Sequence, residues 1–125
     1  MSNIAKNSKN LGSAKHGTDH WWRQRVTAIA LTFLFIWFII SLILLTGADY
    51  IEAYNWLKNP FITGLSLLVV TVSLYHLKLG LQVISEDYIH TEIIKLTTIM
   101  FINFSCILIG LTCCLSILLV TFGGK

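Results

Sequence analysis

The sequence predicts an all-α membrane protein with three transmembrane helices, its N-terminus in the cytoplasm and its C-terminus on the opposite side. Three observations predict it. The 125 residues are 55% apolar and only 12% charged, far from a soluble globular composition. Three nearly uncharged runs, Val26 to Thr46, Phe61 to Ile84 and Leu96 to Phe122, are each long enough to cross the roughly 30 Å hydrocarbon layer as a helix. Lys6, Lys9, Lys15, Arg23 and Arg25 all precede the first run, so the positive-inside rule holds the N-terminus in the cytoplasm.

Taken in chain order, residues 1–18 carry three lysines, no arginine and little apolar periodicity, which predicts a flexible cytoplasmic tail. That composition does not suit a mitochondrial transit peptide. It favours the bacterial cytoplasmic (inner) membrane, with the mitochondrial inner membrane as the second reading. Residues 19–125 form one anchor domain, with helices expected over about 22–46, 61–87 and 92–122. The first run is too long for the apolar core of a cleaved signal.

Trp21 and Trp22 beside Arg23 and Arg25 suit one headgroup layer, while Tyr50, Tyr54 and Trp56 suit the other. Between the first two spans, Asp49 can cap a short interfacial helix through Leu57, which the Asn59-Pro60 pair ends. On the third span Asn103, Cys106, Gly110 and Cys114 share a face of small residues suited to close helix packing, against a neighbouring helix or another subunit. The three cysteines are not spaced as metal ligands and read as packing residues. Basic residues form no stripe, so no nucleic acid is expected as a partner.

The second span carries the chemistry. Lys78 lies near enough to a helix end to snorkel. His76 cannot, and an imidazole inside a bundle hydrogen-bonds a neighbouring helix, relays protons or ligates a metal. Gly80, one turn along the same face, leaves a slot beside the ring that suits a porphyrin plane. His16 and His20 precede the first span and His90 follows the second, so if His76 ligates a six-coordinate iron the second axial ligand has to come from another chain. Asp87 lies eleven residues beyond His76, about three turns and so on its face, with Tyr88 next to it. Arg25 opens the first span at the same end, where an arginine, a carboxylate and a phenol can meet a quinone ring. There Tyr88 can donate to a quinone carbonyl and Asp87 can pair with Arg25.

The run His76-Leu-Lys-Leu-Gly80-Leu-Gln82-Val-Ile-Ser-Glu86-Asp87-Tyr88 resembles the second-helix signature of the hydrophobic anchor D of succinate dehydrogenase, respiratory complex II. Arg25-Val-Thr27-Ala28 resembles the Arg-x-Thr-Ala segment of that family, and the likeness extends over nearly the whole chain from about Asp19. The resemblance implies a subunit of a four-subunit enzyme of the tricarboxylic acid cycle and respiratory chain. In it a flavoprotein with FAD oxidises succinate, and a protein with iron-sulfur clusters passes electrons to ubiquinone at the anchor. It further implies His76 as an axial ligand of a haem b shared with the larger cytochrome b anchor. Tyr88 and Asp87 are placed at ubiquinone, Arg25 near the haem propionates and quinone pocket, and His20 near a propionate. No succinate chemistry falls to this chain. A fumarate reductase anchor uses similar parts in the other direction. A small proton-coupled transporter built on His76 and Lys78 is the reading from another class, but it lacks a continuous polar path.

Overall fold

The structure, a computed structural model, describes residues 12–123, with side chains from residue 17 onward. Four helices and no strand occur among them: α1 (Gly12–Leu44), α2 (Tyr50–Leu57), α3 (Pro60–Tyr88) and α4 (Glu92–Phe122). Three of these, α1 from Gly17 on, α3 and α4, are long and apolar enough to cross a membrane.

Local chemistry sets most boundaries. Asp49 caps α2, its Oδ1 accepting from Glu52 N at 2.8 Å. Asn59 caps α3, accepting from Phe61 N at 2.9 Å, and Pro60 opens that helix where its missing N–H costs nothing. Between α1 and α2 the chain reverses through Gly47, whose φ of +88° is a conformation that side chains with a Cβ rarely adopt. The one displaced boundary is the start of α1. It begins at Gly12 rather than near residue 22, because hydropathy marks where a helix enters lipid and not where it begins. Residues 12–18 of the expected tail are therefore helical, and the rest of that tail lies outside the described residues.

The spans make an open row, not a closed bundle. Helix α3 packs on both α1 and α4, whereas α1 and α4 do not pack on each other. Burial is correspondingly sparse: Leu31 and Ser41 on α1, Thr63, Val69, Leu79 and Ser85 on α3, and no residue of α4. Such exposed apolar faces belong to a chain whose solvent is lipid or other apolar helices. Most hydroxyls inside the spans are satisfied without water, Ser73 Oγ being covered and without a partner among the described residues. Thr32, Ser41, Thr71, Ser85 and Thr112 each donate to the carbonyl four residues earlier at 2.8–2.9 Å.

Two contacts tie α4 to α3. The Thr63 and Thr121 hydroxyls meet at 2.9 Å, and Thr121 also donates to Ile117 O. Deeper in, Asn103, Cys106 and Gly110 face Leu74, Tyr75 and Lys78. The small-residue face thus serves a neighbouring helix of the same chain. A Cβ added to Gly110 would meet Leu74 Cδ1 at 3.2 Å, which Leu74 can relieve by a small shift. A longer side chain cannot be absorbed so easily. Gly110→Leu is expected to cost about 1–3 kcal/mol by overpacking, read as a lower thermal midpoint of the purified protein.

Helix α2 lies against α3 and α4, and the Trp56 ring stacks on Trp37 of α1 at 6.2 Å and 17°. The short helix thereby closes the gap between α1 and α4 at one end of the row only. The opposite end, where α1 begins and α3 finishes, stays open.

Candidate functional site

The open end holds the polar residues, and the contact between α1 and α3 fixes their levels. Thr27 Oγ1 lies 2.8 Å from His76 Nδ1, and Gln24 Nε2 lies 3.7 Å from where a Cβ on Gly80 would stand. These two contacts define an antiparallel register in which each turn up α1 matches a turn back along α3. Because 27, 24 and 23 are three or four apart, Thr27, Gln24 and Arg23 share the face of α1 that meets α3.

His76 is half-buried, and its hydrogen bond to Thr27 is the single one it makes among the described residues. Its Nε2 accepts and donates nothing. Thr27 Oγ1 is also 2.7 Å from Arg23 O and 3.1 Å from Gln24 O. The side of Gly80 looks toward Gln24, at an ordinary contact distance that would admit a methyl group. Packing within the chain therefore does not demand glycine there.

Below this level, between α1 and α3, a cleft of about 600 Å³ is lined by Asp19, His20, Arg23, Tyr75, Lys78 and Glu86, with Gly17, Leu79 and Gln82. His20 is half-buried, and its Nε2 is fully covered with no hydrogen-bond partner; Gln24 Oε1 is in the same condition. Covered polar atoms without partners carry a cost of about 1–3 kcal/mol each. Both stand ready to bond a group that enters the cleft. Glu86 accepts from Gln82 Nε2 at 2.9 Å, which holds one wall. Lys78 reaches into this cleft and not only toward the headgroups.

The remaining sequence candidates lie outside the cleft. Arg25 is exposed, two residues or about 200° round the helix from Arg23, and its guanidinium sits 5.0 Å from the Trp21 ring centroid. Asp87 and Tyr88 are exposed at the end of α3, Tyr88 at 80% of its surface. The structure does not bring Arg25 to Asp87. In the register set by Thr27 and His76, Asp87 stands level with residue 16, roughly 13 Å along α1 from Arg25 at 1.5 Å per residue. No ion pair joins them among the described residues. The arginine that turns toward α3 is Arg23.

Reading by sequence gave Thr27, Gln24 and Arg23 no place in the site, although Thr27 stands in the Arg25-Val-Thr27-Ala28 segment and Arg23 at the headgroup layer. A signal was present: their helical spacing on the only α1 face with an amide and a hydroxyl together. No group of three or more His, Cys, Asp or Glu residues capable of holding a metal ion occurs among the described residues. A single free imidazole nitrogen suits an iron whose four equatorial ligands come from a porphyrin, and does not suit a bare ion.

Comparison with known proteins identifies relatives of the chain. Residues 2–112 match the family described as succinate dehydrogenase/fumarate reductase transmembrane subunit. The chain is 40% identical over 101 residues to a succinate dehydrogenase hydrophobic membrane anchor subunit of Rickettsia conorii, covering 80% of each chain. It is 38% identical over 102 residues to that of Rickettsia typhi, covering 81% of each. To that of Paracoccus denitrificans it is 32% identical over 83 residues, covering 66% of this chain and 64% of the relative. No solved structure matches the chain.

Proposed function

Because the chain belongs to the succinate dehydrogenase/fumarate reductase transmembrane subunit family, we propose that it anchors a succinate:ubiquinone oxidoreductase in a bacterial inner membrane. There it contributes His76 to haem b and Tyr88 with Asp87 to the ubiquinone site. The observation that carries this reading is the state of His76. Its Nδ1 is engaged by Thr27, its Nε2 is left free, and it stands in a span with no other histidine.

The residues fit the group. An imidazole fixed at one nitrogen would offer the other to the haem iron, and the larger anchor subunit would supply a further ligand. His20, Arg23 and Lys78 line the adjoining cleft and suit the propionates, with the covered His20 Nε2 as one donor. When bound, the haem supplies a one-electron carrier beside the quinone pocket. Arg25, turned outward over Trp21, faces the surface that partner subunits cover.

Ubiquinone takes up two electrons and two protons to become the quinol, the electrons having been released with two protons when succinate becomes fumarate in the flavoprotein. The phenol of Tyr88 donates a hydrogen bond to a quinone carbonyl and stabilises the negative charge that develops there. Asp87, beside it at the open end, orients the phenol or a water that delivers protons. Flavoprotein and iron-sulfur subunits dock at this end, so the exposure of Tyr88 in the single chain is a surface they bury. The family's description also covers fumarate reductase, but the relatives carry the succinate dehydrogenase name.

Purification from native membranes through a tag on this chain tests the proposal. Flavoprotein and iron-sulfur subunits should come down with it, together with succinate-quinone reductase activity and a b-type haem band. Recovery of the chain without haem, partners or activity would overturn it.

A further inference from the structure

The close contact between Thr27 and His76 has a proton arrangement that follows from the distances together with which neighbours can donate. Thr27 Oγ1 is 2.7 Å from Arg23 O and 2.8 Å from His76 Nδ1, and a hydroxyl has one proton. Two oxygens 2.7 Å apart require a proton between them, since otherwise lone pairs face each other. The carbonyl of Arg23 can supply none. The hydroxyl proton therefore lies toward Arg23 O, with Gln24 O at 3.1 Å as its weaker second acceptor. Thr27 Oγ1 is then an acceptor toward the ring, and the proton on that bond belongs to Nδ1.

We infer that Thr27 is the positioning residue of His76: it accepts Nδ1–H, selects the tautomer whose Nε2 carries a lone pair, and fixes the plane of the ring. This inference rests on the reading of His76 as a haem ligand. The opposite tautomer carries its proton on Nε2 and cannot bind iron. The chain Nδ1–H to Oγ1–H to Arg23 O also has a consequence for the iron. A hydroxyl that donates onward is a better acceptor, so density is drawn toward Nε2 and the imidazole becomes a stronger donor. A stronger donor favours ferric over ferrous iron.

Thr27 is well made for this task. It is half-buried, its β-branched side chain has few rotamers, and it is anchored to its own helix while reaching the next. It is therefore a link between α1 and the ligand on α3 and does not touch the reacting quinone.

The test uses the whole purified complex, with haem retention against an excess of an apoprotein scavenger and the haem midpoint potential as readouts. Thr27→Val keeps the shape and removes the acceptor. It is expected to weaken haem retention about 10–100-fold and to raise the midpoint potential, while Thr27→Ser restores both. Thr27→Cys, whose sulfur is a poor acceptor, should fall between and serves if the valine variant does not assemble. If His76→Ala removes the haem, yet Thr27→Val and Thr27→Cys keep the potential and retention of the unaltered complex, the inference about Thr27 fails while the ligand assignment stands. If His76→Ala leaves the haem spectrum unchanged, both fail.

Discussion

Replacement of His76 by alanine is expected to abolish the normal b-type haem band of the purified complex while the helices still form. The imidazole is half-buried, with one cross-helix hydrogen bond, so its loss costs the fold about 1 kcal/mol. Thr27 remains satisfied through Arg23 O. If His76 holds haem b as proposed, the haem would by contrast lose a ligand. Since even a hydrogen-bonded neighbour of a metal ligand alters affinity about 10–100-fold, removal of the ligand itself has to exceed that range. The reduced-minus-oxidised spectrum per mole of assembled complex reads the effect. An unaltered band would place the ligand elsewhere.

The second large effect is expected at Tyr88. The residue is 80% exposed and forms no hydrogen bond among the described residues, so Tyr88→Phe removes a donor without disturbing any described partner. A donor aimed at an oxygen that gains charge in the transition state is worth on the order of 10²–10³ in rate. Succinate-quinone reductase activity should therefore fall by about two orders of magnitude. Succinate oxidation with a water-soluble dye as acceptor should continue, because that reaction bypasses the anchor. Unchanged quinone reduction would leave Tyr88 as an interfacial belt residue. Equal loss in both assays would point to disturbed docking of the partner subunits.

His76 and Tyr88 are candidates that the sequence offers by itself, whereas Thr27, Gln24 and Arg23 enter only through the packing of α1 on α3. Polar groups inside an apolar run stand out one by one, which is why His76 and Lys78 drew attention. Spans, the Asp49 cap and the Asn59-Pro60 stop are likewise local, and the structure has all of them. Register between helices is not local. Placing Arg25 beside Asp87 required knowing which residue of α1 is level with which of α3, and no periodicity within one helix carries that. Once Thr27 is opposite His76, helical spacing puts Arg23 and Gln24, and not Arg25, on the shared face. The small face of α4 shows the same limit: its composition foretold a close contact but not that Leu74 of α3 is what it meets.

Gly80 illustrates a further point about such sites. Its missing side chain reads as a slot, yet within the chain a methyl group would meet only the Gln24 amide at 3.7 Å. The space beside Gly80 is thus left unfilled by this chain. The unpartnered His20 Nε2 and Gln24 Oε1 carry the same message, since polar atoms are seldom left covered and unbonded. The open row of helices, with α3 shared and α1 and α4 apart, leaves faces of all three spans uncovered among the described residues.

The most direct measurement is chemical rescue of the ligand. In the purified complex with His76→Gly, free imidazole is added and the ferric haem is followed by electron paramagnetic resonance. The assignment of His76 predicts that the low-spin six-coordinate signal of the unaltered complex is absent without imidazole and returns on its addition. A full low-spin signal before any imidazole is added would contradict it.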